Sequence, residues 1–149
     1  MNRRDFLKTG SMMTASTLVA GGVSYHALAE EPGEPAKPIA ANDHLQIALI
    51  GAGGQGQYDT RTAAQVPGVK VVAAADCYNG RLSHAKELWG DEIQTTRDYA
   101  EILSRKDIDA VIIATPDHWH KQAAIDAMKA GKDVYLEKPM IHLYTDGTE

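Results

Sequence analysis

From Leu45 onward, short apolar runs alternate with stretches whose apolar residues recur at helical spacing. The pattern predicts strands over 45–50, 69–75, 109–114 and 133–137 and a brief extended piece over 93–95. Helices are predicted over 54–65, 80–89, 97–105 and 117–130. Asn79 and Thr96 are the expected N-caps of the second and third helices, and Gly131 the C-cap glycine of the fourth. Runs such as Ala110-Val-Ile-Ile-Ala114 are apolar at every position, which suits a strand covered on both faces. Strand and helix alternating through short links predict a doubly wound α/β fold with a parallel sheet.

Ligands of such a sheet bind outside the carboxyl ends of its strands. The first strand runs into Gly51-Ala-Gly-Gly-Gln-Gly56, a glycine loop that opens a helix. Gly51 allows a tight turn, Gly53 allows backbone to approach a pyrophosphate, and Gly56 allows the helix to pack close to the sheet. The free N–H groups of that helix start would face phosphates. Asp76 ends the second strand, where a carboxylate accepts ribose hydroxyls and repels a 2′-phosphate. Strand, glycine loop, helix, strand and terminal acid make a dinucleotide fingerprint and favour NAD over NADP, with Arg81 close enough in sequence to soften that preference.

Two further strand ends carry chemistry. Thr115-Pro116 closes one strand, and Pro116 suits the opening of the next helix. Asp117, His118 and His120 are expected in its first turn, facing the nicotinamide half of a bound cofactor. Residues two apart on a helix point to different faces, so His118 and His120 make a poor metal pair, and no metal site is expected. Trp119 is expected to pack against the sheet edge or a neighbouring domain rather than to stack on substrate. Glu137-Lys138-Pro139 closes the last strand, where Lys138 can hold a negative cofactor group or a substrate hydroxyl and take part in proton transfer.

The first part of the chain reads differently. Arg3-Arg4-Asp5-Phe6-Leu7-Lys8, a weakly apolar stretch from Met12 to Val23 and Ala27-Leu28-Ala29 resemble a twin-arginine export signal over residues 1–29. Residues 30–43, with Pro32, Pro35 and Pro38, read as an extended linker. Residues 44–149 remain for the folded domain, enough for a core. Removing the signal takes 15 basic and 20 acidic residues to 12 and 19, so the formal charge goes from −5 to −7. That balance, without a basic run, argues against nucleic acid and against an anionic membrane surface. Cys77 is the single cysteine, so no intrachain disulfide can form. It is expected as a plain loop or core residue rather than as part of an adenosine pocket.

Taken together, Gly51-Ala-Gly-Gly-Gln-Gly56, Asp76, Thr115-Pro-Asp-His-Trp-His120 and Glu137-Lys-Pro139 resemble the glucose–fructose oxidoreductase / inositol dehydrogenase / MocA family. The resemblance covers about residues 45–141. It implies a Rossmann domain that binds NAD(H) through Gly51, Gly53, Gly54, Gln55, Gly56 and Asp76. Thr115, Pro116, His118 and Glu137 would border the cofactor, and Lys138 would reach nicotinamide and substrate. His120 matches a histidine common after the Thr-Pro of this family, and Lys138 and His120 are the catalytic candidates. The implied function is an exported, periplasmic NAD(P)-dependent oxidoreductase of sugars or polyols. An NAD-dependent glycoside hydrolase is the alternative, and a non-catalytic or truncated cofactor-binding protein is the third reading. Family members continue into a second α+β domain that carries much of the sugar site. The chain is therefore expected to be the nucleotide-binding half, incomplete at its C-terminus and inactive alone, of a protein that forms homo-oligomers.

Overall fold

The computed structural model of the chain describes residues 43–148. The export signal expected over 1–29, and all of the 30–43 linker except Asp43, lie outside the described residues. Strands and helices alternate as β1 (Leu45–Ile50), α1 (Gly54–Ala63), β2 (Val69–Ala75), α2 (Asn79–Trp89), β3 (Gln94–Thr96), α3 (Tyr99–Ser104), β4 (Ala110–Ile113), α4 (His120–Lys129) and β5 (Asp133–Leu136). Short 3₁₀ turns cover Asp117–Trp119 and Tyr144–Thr148.

The strands form one parallel sheet in the order β3-β2-β1-β4-β5, the doubly wound arrangement expected from the alternation. The order reverses between β1 and β4, which makes their carboxyl ends the switch point. Side chains of β1 alternate between two cores. Ile47 and Leu49 pack with Ala74, Ala85 and Ile112 on one face. Ala48 and Ile50 pack with Ile102, Val111, Ile113 and Ala123 on the other. Truncating a fully buried residue such as Leu49 to alanine costs about 2–5 kcal/mol.

Helix ends differ from the sequence reading in instructive ways. α2 begins at Asn79 itself, and its N-cap is Tyr78, which offers no side-chain cap. The carboxylate of Asp76 accepts from the Tyr78 N–H at 2.8 Å. Thr96 is the last residue of β3, and Asp98 caps α3 by accepting from the Ala100 N–H at 2.9 Å. Pairing of Thr96 with Ala75 claims it for the sheet before the helix can use it. The helix expected over 117–130 splits into the 3₁₀ turn and α4. Gly131 follows α4 with φ +73°, the left-handed geometry expected of a glycine there.

At the carboxyl edge, four backbone hydrogen bonds close the sheet in one row. Asp76 N–H donates to Thr96, Gly51 N–H to Ala75, Ala114 N–H to Ile50 and Glu137 N–H to Ile113, at 2.8–3.2 Å. The row sets Asp76, Gly51, Ala114 and Glu137 side by side. Three strand spacings of about 4.8 Å separate the ends of β2 and β5, so the row runs for about 14 Å.

Candidate functional site

The glycine loop is built as its spacing demands. Gly51 has φ +94°, and a Cβ there would lie 2.6 Å from the Ala114 carbonyl oxygen. A Cβ on Gly56 would lie 2.3 Å from the Gly51 carbonyl oxygen, so only glycine lets α1 sit this close to β1. Gly53 and Gly54 are different. Nothing lies within 4 Å of a Cβ on Gly54, and on Gly53 it would meet only the Arg81 guanidinium at 3.6 Å. Protein packing therefore does not demand glycine at 53; the bare backbone leaves an open cradle. Gly53 is the N-cap of α1, no side chain caps the helix, and its first turn holds no acid. The first N–H groups of a helix have no partner within it, and the positive end of its dipole is unneutralised here. That is the chemistry a pyrophosphate requires.

Asp76 lies beside this cradle with its side chain only 6% exposed. One oxygen accepts from Tyr78, and the other meets the half-exposed Arg81 guanidinium at 3.3 Å. A cavity of about 400 Å³ opens over Asp76, Gly51 and Thr115, a volume in the range of small-molecule sites. His118 and Trp119 line this same cavity, whereas Glu137 and Lys138 do not. His118 thus shares one cavity with Asp76 and Thr115. Trp119 packs edge-on against Tyr99, with ring centroids 6.5 Å apart, and also walls the cavity. Cys77 is exposed in the loop after β2, a loop position as expected, and lines the cavity too.

The β4 and β5 ends meet through His120. It is buried, at 1% exposure, and does not line the cavity. Nε2 lies 2.8 Å from the Thr115 carbonyl oxygen and Nδ1 lies 2.6 Å from the Pro139 carbonyl oxygen. The catalytic reading of His120 is therefore corrected: neither nitrogen is free to exchange a proton with a ligand. The His118 ring, two residues away, is exposed. Among the described residues no group of three or more His, Cys, Asp or Glu could hold a metal ion.

Lys138 is exposed at the row's far end, and its backbone N–H reaches the Glu137 carboxylate at 3.2 Å. Gln55 links the glycine loop to this end. Its amide donates to Asp59 at 2.9 Å and makes a long contact to Glu137 at 3.5 Å. Burial first, and then the Glu137 charge, raise the Asp59 carboxyl above its usual range. Pro116 is exposed at the cavity rim, and the Thr115 hydroxyl is buried without a hydrogen-bond partner. An open helix start, a Cβ-free cradle and an orphaned hydroxyl fit a bound dinucleotide.

Sequence reasoning missed three lining residues, Arg97, Asp98 and Tyr99. They follow β3 and carry no motif. Only the β2–β3 pairing, which ends at Ala75 and Thr96, brings them beside Asp76.

A model of the oxidoreductase family with an NAD-binding Rossmann fold, glucose–fructose oxidoreductase / inositol dehydrogenase / MocA, matches residues 45–149. A "Glycosyl hydrolase family 109 protein" of Shewanella baltica is 31% identical over 158 residues, covering 94% of this chain and 34% of that protein. The chain thus spans about a third of the length of the curated relatives it matches. Among solved structures, myo-inositol 2-dehydrogenase from Lactobacillus plantarum is 34% identical with a TM-score of 0.63, covering 69% of this chain and 30% of that one. A 3-ketoreductase from Actinomadura kijaniata, solved with NADP and TDP-benzene, is 26% identical with a TM-score of 0.60, covering 66% and 30%.

Proposed function

Because this chain belongs to the glucose–fructose oxidoreductase / inositol dehydrogenase / MocA oxidoreductase family, we propose that it is the nucleotide-binding part of an NAD-dependent oxidoreductase acting on sugars or polyols. The carrying observation is the carboxyl-edge row. It sets an uncapped helix start, the near-buried carboxylate of Asp76 and the exposed Lys138 along one edge of the sheet, with Asp76 and Lys138 on either side of the switch point. In this reading the N–H groups after Gly53 hold the pyrophosphate and Asp76 holds the adenosine ribose. Thr115 offers its orphaned hydroxyl to the cofactor, and Lys138 orients the substrate hydroxyl and handles its proton. The nicotinamide, when bound, supplies the hydride chemistry. Asp76 favours NAD, because its carboxylate opposes a 2′-phosphate. Residues 1–29 fit export to the periplasm by the twin-arginine route, which carries proteins already folded; the cofactor would then travel with the protein.

The test is to purify the complete protein and examine it by absorbance and mass for a bound nicotinamide nucleotide. It is then offered a panel of sugars and polyols. Retained NAD(H) and substrate-dependent change in its absorbance are expected. A folded protein that neither contains nor binds a nicotinamide nucleotide would exclude this reading.

A second reading has its own observation, the 31% identity to a protein named as a family 109 glycosyl hydrolase. An NAD-dependent glycosidase oxidises its sugar only transiently. It would release phenol from aryl glycosides without accumulating NADH, and an absence of release across a broad panel excludes it.

A further inference from the structure

His120 joins two strand ends that the backbone cannot join. The β4–β5 ladder ends where the Glu137 N–H meets the Ile113 carbonyl. Beyond it, each strand soon reaches a proline, Pro116 or Pro139, and proline has no N–H to donate. The carbonyls of Thr115 and Pro139 are both acceptors, so they cannot pair with each other. The His120 ring lies between them, one nitrogen at 2.8 Å and the other at 2.6 Å.

The geometry points to His120 as a positioning residue: a buried ring that clips the Thr115 turn to the Glu137-Lys138-Pro139 turn and so holds Lys138 at the nicotinamide end of the row. Where Lys138 would act rests on the dinucleotide reading above; the clip itself does not. The ring is closed off from the cavity, so its effect passes through the two carbonyls and touches no ligand.

Two nucleotides read the positioning role in the full chain. His120→Phe is expected to bind ADP-ribose within about twofold of wild type and NADH about tenfold more weakly, the loss of one charge-assisted contact. Equal weakening of both, or of neither, overturns the positioning role. If His120→Phe does not fold, His120→Gln, whose amide can still donate to one of the two carbonyls, is titrated in its place and the same outcomes decide. If wild type binds neither nucleotide, the dinucleotide reading fails, while amide hydrogen exchange at Glu137 and Lys138 still decides the clip: exchange faster in the variant than in wild type is expected, and equal exchange overturns it.

Discussion

Asp76 and Arg81 meet at 3.3 Å beside the glycine loop, and the Arg81 guanidinium lies under the open face of Gly53. The pair sets two opposed tendencies at the ribose position. The carboxylate binds ribose hydroxyls and repels a 2′-phosphate, while the guanidinium would welcome one. Asp76→Ala is expected to weaken NADH and to shift the NADPH-to-NADH affinity ratio by about tenfold toward NADPH, a change of about 1.4 kcal/mol. Arg81→Ala moves the ratio the other way. Fluorescence titration with both nucleotides reads the two ratios, and a ratio indifferent to both substitutions would refute the assignment of this position.

Neighbouring glycines should respond oppositely to a methyl group. Gly56→Ala drives a Cβ into the Gly51 carbonyl and is expected to cost about 1–3 kcal/mol, with loss of nucleotide binding. Gly54→Ala meets nothing and should leave stability unchanged or raise it by up to about 1 kcal/mol through helix propensity. Urea unfolding of the two variants separates these outcomes.

At the opposite edge of the sheet, the Lys132 amine donates to the carbonyls of Arg105 and Ile108. Lys132→Met leaves both without this partner and should destabilise the fold by about 1–3 kcal/mol. Nucleotide affinity, measured under native conditions, should not change, because the row at the carboxyl ends does not depend on this contact.

Burial first, and then the hydrogen bond to Asp126, push the Tyr99 phenol up to about 12 from 10.0. The folded state thus keeps a proton that the unfolded chain releases at lower pH. The stabilisation is complete below pH 10.0 and is lost as pH rises through about 12. Tyrosinate absorbance should show one late-titrating tyrosine that Tyr99→Phe removes. The variant should also show a shallower loss of stability over that window.

The parallel strands, their order of appearance, the tight turn at Gly51 and the close packing at Gly56 were all legible in the sequence. Each depends on periodicity or turn chemistry within a few residues. Asp76 was legible for the same reason, as an acid ending an apolar run behind a glycine loop. The misplaced caps show where local rules stop: Thr96 and Asn79 are good caps in isolation, but β3 pairing takes the first. Asn79 does not act as a cap because α2 begins on it, with Tyr78 as its N-cap.

Local sequence determined that this chain builds a parallel sheet with a phosphate-ready helix start and an acid at the next strand end. The tertiary structure alone decided that Arg97, Asp98 and Tyr99 join the cavity that His118 also lines. It also decided that His120 is buried between two carbonyls rather than open to a ligand. The physical reason is range. A cap or a tight turn is fixed by atoms a few residues apart, whereas the surroundings of His120 include Pro139, which reaches it only because β5 pairs with β4.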